Sequence, residues 1–175
     1  SNNFLGSYLA VVNANVGGGK SDAFVKQRVQ TETRLTPEGK IHGHVRITRT
    51  HSGDKQKEWW YRAVNKNYIQ VLLPLGSRLV KMDGGESQTI PAPISYARYR
   101  TDREVAMMEK TGTMFGKTAL ATWFYLKPGA QKTLDVTYVN PGTFVWQDGM
   151  VYQFVFEKQS GVEGELEVRI EAPRG

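Results

Sequence analysis

Alternation with a period of two is the feature that most restricts what this chain can fold into. From Ala23 to Leu35, residues Val25, Gln27, Val29, Thr31, Thr33 and Leu35 fall on one side, and Lys26, Arg28, Gln30, Glu32 and Arg34 fall on the other. Successive side chains of an extended backbone point to opposite faces, so the run reads as a long half-buried strand and not as a helical stripe. Thr36-Pro37-Glu38-Gly39 then supplies a proline to preset φ and a glycine to accept positive φ. The chain should turn there and return as Lys40 to His51, with Val45 and Ile47 inward, closing an antiparallel hairpin.

The same period recurs along the chain. Tyr8 to Val12 is an apolar run, and Asn67 to Leu73 is a β run stopped by Pro74-Leu75-Gly76. Arg78 to Met82 reads as a short strand. Thr118 to Leu126 and Lys132 to Val139 flank the turn Lys127-Pro128-Gly129-Ala130 and read as a second hairpin. Val151 to Phe156 and Glu165 to Ala172 close the sequence, the last with Leu166, Val168 and Ile170 opposite Glu165, Glu167, Arg169 and Glu171. Residues 86–110 look like an irregular insert: Ser87 to Arg100 contains Pro91 and Pro93, and Arg103 to Lys110 fits a strand or a short helix and is read as strand. About eight or nine short strands with Gly/Pro turns predict an all-β chain. The expected fold is an antiparallel two-sheet β-sandwich of immunoglobulin/fibronectin-like architecture. It should form a single domain over 1–175, opened in 1–22 by a strand and a glycine-rich loop.

A length of 175 residues suits one substantial core, and 39% hydrophobic with 23% charged residues is ordinary for a globular protein. The formal charge of +6 is compatible with nucleic acid, an anionic membrane surface or wall polymers. Its basic residues are scattered, however, and no nucleic-acid partner is expected. The densest alternations, His44-Val45-Arg46-Ile47-Thr48-Arg49 and Arg98-Tyr99-Arg100, read as solvated strand faces. With no cysteine, disulfides, thiolate metal sites and a cysteine nucleophile are excluded. No apolar stretch reaches the roughly 18–20 residues of a membrane span. The opening Ser1-Asn2-Asn3 reads as the start of a piece of a longer protein, with any anchor outside it.

Ala14-Asn15-Val16-Gly17-Gly18-Gly19-Lys20-Ser21 fits a relaxed phosphate-loop pattern after an apolar run. Such a loop works only where a helix begins at its lysine, presenting backbone amides to phosphates. The alternation from Ala23 onward argues instead for a strand, so the stretch reads as a connecting loop, with nucleotide binding the lesser alternative. His42 and His44 share a face at i, i+2 spacing and could ligate a metal if a third ligand came from a neighbour. Because Arg46 and Thr48 lie on that face too, it reads as solvent and no metal or cofactor is expected. Glu163, Glu165, Glu167 and Glu171 read as a wet strand face, not as a glycosidase pair, which needs carboxylates roughly 5–10 Å apart in a cleft. No serine lies in a nucleophile elbow. Trp59, Trp60 and Tyr61 after a polar loop, and Trp146 near Asn140-Pro141-Gly142, are the candidate ligand contacts. If extended, Trp59 and Trp60 point to opposite faces. A buried Lys-Asn crosslink is possible by composition, though no motif selects a pair.

Several segments in order resemble the C-terminal region of a bacterial envelope family known as domain of unknown function 4012. They are Asn13 to Asp22 with the run to Val29, Tyr68 to Ser77, Thr113 to Lys117, Leu126 to Gly129, Thr133 to Tyr138, and Glu157 to Gly161 before a strand ending at Pro173. The resemblance implies an extracytoplasmic location in the cell envelope, as the last portion of a membrane-anchored protein. It carries no catalytic residue. The expected function is a non-enzymatic binding or structural module contacting a protein, a wall polymer or neighbouring domains of its own chain. A carbohydrate-active or polymer-modifying domain is the alternative.

Overall fold

The computed structural model of the chain describes residues 6–17, 19–86 and 103–173. Ten strands lie among them: β1 (Gly6–Asn15), β2 (Val25–Leu35), β3 (Ile41–His51), β4 (Asn65–Pro74), β5 (Arg78–Asp83), β6 (Thr113–Met114), β7 (Lys117–Leu126), β8 (Gln131–Val139), β9 (Gln153–Lys158) and β10 (Gly164–Glu171). They form two five-stranded sheets, ordered β6-β7-β4-β1-β9 and β10-β2-β3-β8-β5. The fold is the expected two-sheet sandwich, and β6, a two-residue bridge to β7, accounts for the excess over the expected strand number. Pairing is mostly antiparallel. The exceptions are the last two strands, with β9 parallel to β1 and β10 parallel to β2.

The β2–β3 hairpin forms as its alternation requires, in unbroken register from Val25↔His51 to Leu35↔Ile41, with Gly39 at φ 77° in the turn. The second expected hairpin does not form. β7 pairs with β4 and β6 in one sheet, whereas β8 pairs with β3 and β5 in the other. The Lys127–Ala130 turn is therefore a corner between sheets, held because Gly129 N–H donates to His51 O and His51 N–H donates to Ala130 O. The alternation of both strands was right; their pairing depended on which partners buried the apolar faces.

Between the sheets lies a core of Leu9 and Val11 from β1, Val29 from β2, Val45 and Ile47 from β3, and Ile69, Val71 and Leu73 from β4. Phe124 and Leu126 of β7 and Leu134, Val136 and Tyr138 of β8 complete it. Each such aliphatic side chain contributes about 1.5–3 kcal/mol when fully removed from water.

The segment Arg103–Thr111 is an α-helix, α1, and not the strand expected there. Its residues include strong helix formers, and Gly112 at φ 63° stops it, its N–H donating to Met108 O. α1 exists as a helix because the outer face of the first sheet needs a cover: buried Met108 packs with Ala10, Leu72 and Ala119 on that face. The Ser87 to Arg100 stretch read as irregular lies outside the described residues.

Candidate functional site

The four aromatic candidates do not converge. Trp59, Trp60 and Tyr61 occupy a turn between β3 and β4, so the extended backbone that would send Trp59 and Trp60 to opposite faces is not formed: their rings meet edge to face at 5.9 and 6.0 Å, and Tyr61 packs on Phe24 at 5.0 Å. Trp59 is 67% exposed at the tip of this ladder. Trp146 meets Phe144 edge to face at 4.7 Å and donates from Nε1 to Thr36 O at the β2–β3 turn. Phe24 precedes β2 and Thr36 follows it, so the two groups sit at opposite ends of an 11-residue strand, roughly 35 Å apart.

His42 and His44 lie on the outer face of β3 with Arg46 and Thr48, as their parity requires. His44 Nε2 and Arg46 Nε both meet Asp135 Oδ1 at 2.9 Å, so this carboxylate is held by side chains of its own sheet. Among the described residues no three His, Asp or Glu side chains converge as metal ligands. Among the described residues the side chains of buried Asn65, Asn67 and Asn140 bond Ser, Asp, Asn and Arg groups and no lysine.

The glycine-rich stretch leads not into an α-helix but into a four-residue 3-10 turn, Ser21–Phe24, and then β2. Gly19, at φ 62°, lies so close to Trp60 that an added Cβ would stand 2.8 Å from its carbonyl oxygen, and Lys20 N–H donates to that same oxygen. The loop is thereby docked on the aromatic turn and delivers Ser21 and Asp22 to a buried polar network. Ser21 Oγ accepts from Asn15 Nδ2 at 3.2 Å and Asn65 Nδ2 at 3.0 Å. Asn65 Nδ2 also reaches Asp22 Oδ1 at 2.8 Å, while Asn65 Oδ1 accepts from Arg49 Nη1 at 3.1 Å.

Arg49 is the corrected member of the basic alternation: its side chain is only 4% exposed, inside the sandwich and not on a solvated face. Burial lowers its pKa to about 10, partly offset by the Asp22 charge, and it remains a cation at neutral pH. With Asn13, Asp22, Lys26, Gln159 and Glu163 it lines a cleft of about 460 Å³. These residues were missed, yet a signal existed. Arg49 and His51 share parity with Val45 and Ile47, and Asn65 and Asn67 share parity with Ile69 and Val71. One end of the interior is thus polar along several strands.

The other distinctive surface is the open side of the sandwich, where β9 and β10 end their sheets. In register, Leu166, Val168 and Ile170 lie beside Val29, Thr31 and Thr33, on the face that other strands bury, yet they remain 41%, 41% and 44% exposed. Val11, Val29, Phe156, Val162 and Leu166 line a cleft of about 240 Å³ between the two edges. On the opposite face, Glu165 and Glu167 pair with Arg28, and Arg169 pairs with Glu32 and Glu171.

No family model and no curated protein matches the chain. Among solved structures, a substrate-bound mutant of an M1 zinc metallopeptidase from Deinococcus radiodurans is similar to it at 15% identity and a TM-score of 0.27, over 71% of this chain. The chain spans 22% of that enzyme's length, and a likeness at this level carries no argument about activity.

Proposed function

We propose that this chain is a non-enzymatic binding module of a larger, membrane-anchored envelope protein, working outside the cytoplasm. It would bind an extended polypeptide segment by strand addition at β10. The observation that carries this reading is the long, regular edge of β10, whose charged side chains all lie on its outer face. Sheet edges expose unpaired N–H and C=O groups, and natural proteins blunt them with short strands, bulges, prolines or lysines. Three of the four edges here are blunted: β6 has two residues, β5 is broken by a register shift between Leu79 and Lys81, and β9 has six residues and ends in Lys158. β10 has eight residues in regular register, without proline, lysine or bulge, and a row of three half-exposed aliphatic side chains.

A segment adding to this edge gains main-chain hydrogen bonds and places every second side chain beside the half-exposed row of Leu166, Val168 and Ile170. Its outward residues meet a row of three carboxylates and one guanidinium, Glu165, Glu167, Arg169 and Glu171, so the acidic excess of that row selects alternating apolar and basic residues. The same carboxylates disfavour a second copy pairing β10 to β10. The envelope context is supported by the sequence resemblance described above.

The test is a titration of the isotope-labelled chain with a synthetic peptide alternating valine and lysine, and with one alternating valine and glutamate. The lysine peptide should shift and protect β10 amides, the glutamate peptide should bind at least about tenfold more weakly, and Val168→Lys should abolish binding. Equal affinity for both peptides, or no protection at β10, would sink the proposal.

A further inference from the structure

The cleft beside Arg49 adjoins the apolar cleft at the β10 edge, sharing Gln159 and Val162 with it, but it differs in chemistry. A guanidinium carries five N–H donors in a rigid planar fork, and its burial demands acceptors for them. Arg49 is 97% buried by residue, yet one hydrogen bond, from Nη1 to Asn65, is made within 3.5 Å. Nη2 stands 3.6 Å from Asp22 Oδ1, an ion pair too long for a hydrogen bond, and Nε has no partner among the described residues. The side-chain acceptors of Asn13 and Gln159 are engaged elsewhere, Asn13 Oδ1 accepting from Asn67 Nδ2 and Gln159 Oε1 from the Asn13 main-chain N–H. An under-satisfied buried cation lining a cleft of about 460 Å³ is a site built for a planar anion, and that volume falls in the range of small-ligand pockets.

The remaining walls set the class of ligand. Lys26 adds a second positive charge, and Asp22 and Glu163 add two negative ones, so the cleft is bipolar and not anionic-selective. A bare dianion such as phosphate would meet both carboxylates. A molecule carrying a carboxylate and an ammonium on neighbouring atoms matches both signs, the first on the Arg49 fork and the second toward Asp22 and Glu163. We propose that this cleft binds a small zwitterionic carboxylate of the free α-amino acid type.

The experiment follows the Arg49 Nε–H resonance of the whole chain, identified by its absence in Arg49→Lys, during titration with alanine, acetate, methylammonium or inorganic phosphate. Alanine should give a saturable shift in the millimolar range, and each of the other three should respond at least about tenfold more weakly. Asp22→Asn, at a half-exposed position that keeps its Oδ1 acceptor for Asn65, should reduce alanine affinity toward that of acetate, and because it removes the charge opposite buried Arg49 it should also lower the melting temperature while leaving the chain folded at about 25 °C, so the affinities are compared there. Val168→Lys should leave the alanine titration unchanged, which separates this site from strand addition. No saturable response to alanine would overturn the proposal, as would an equal response to acetate or phosphate.

Discussion

Tyr138 of β8 sits directly opposite Gly43 of β3, and its ring occupies the space a side chain at position 43 would need. A Cβ there would overlap the ring carbon Cζ and the hydroxyl oxygen, so the glycine is required by close approach, its φ being an ordinary one. Gly43→Ala should destabilise the chain by about 1–3 kcal/mol, the range of overpacking in a filled core, measured as a lower urea midpoint. The Tyr138 hydroxyl itself is buried without a partner among the described residues, and burial, with a lesser contribution from Tyr152, pushes its pKa well above the ordinary phenol value. Removing an unsatisfied buried hydroxyl should help: Tyr138→Phe is expected to raise stability by up to about 1 kcal/mol. A loss on Tyr138→Phe would mean that the hydroxyl has a partner in solution.

At the scale of elements, the two sheets are tied together by Glu86 just after β5. Its N–H donates to Trp123 O on β7, and its Oε1 accepts from Tyr125 N–H at 3.0 Å and from Lys132 Nζ at 2.6 Å on β8. Burial would raise the pKa of this carboxyl, but the Lys132 ammonium and the Tyr125 amide outweigh that and hold it below its ordinary 4.5. A carboxyl with a folded pKa below its unfolded one contributes stability that is complete above pH 4.5 and lost as pH falls through the folded value. Glu86→Gln should therefore flatten the acid limb of stability below about pH 4.5, read from urea midpoints at stepped pH, and leave the alkaline limb unchanged. The same scale explains α1. Its stop signal, Gly112 one residue past the helix, was legible, but its reason for being helical is the apolar patch of Ala10, Leu72 and Ala119, which belongs to three different strands.

For the molecule as a whole, the chain changes sheet at most of its connections between strands: β1 to β2, β3 to β4, β4 to β5, β5 to β6, β7 to β8, β8 to β9 and β9 to β10. Only β2–β3 and β6–β7 pair locally as hairpins. Most strand pairings among the described residues thus close a long loop before they gain anything, and topologies of this kind refold over roughly milliseconds to seconds. Stopped-flow tryptophan fluorescence should show that range, and microsecond refolding would contradict the described pairing.

Period-two alternation determined the strands, their buried faces and the β2–β3 hairpin, because an extended backbone sends alternate side chains to opposite faces whatever its neighbours are. Parity also held the polar interior in plain view, with Arg49 in step with Val45 and Ile47. Pairing was another matter. The corner at Lys127–Ala130, the parallel placing of β9 and β10 and the helical state of 103–111 were decided by tertiary structure, since each depends on which distant strand buries an apolar face. So was the docking of the glycine-rich loop on Trp60, a contact between segments that alternation cannot relate.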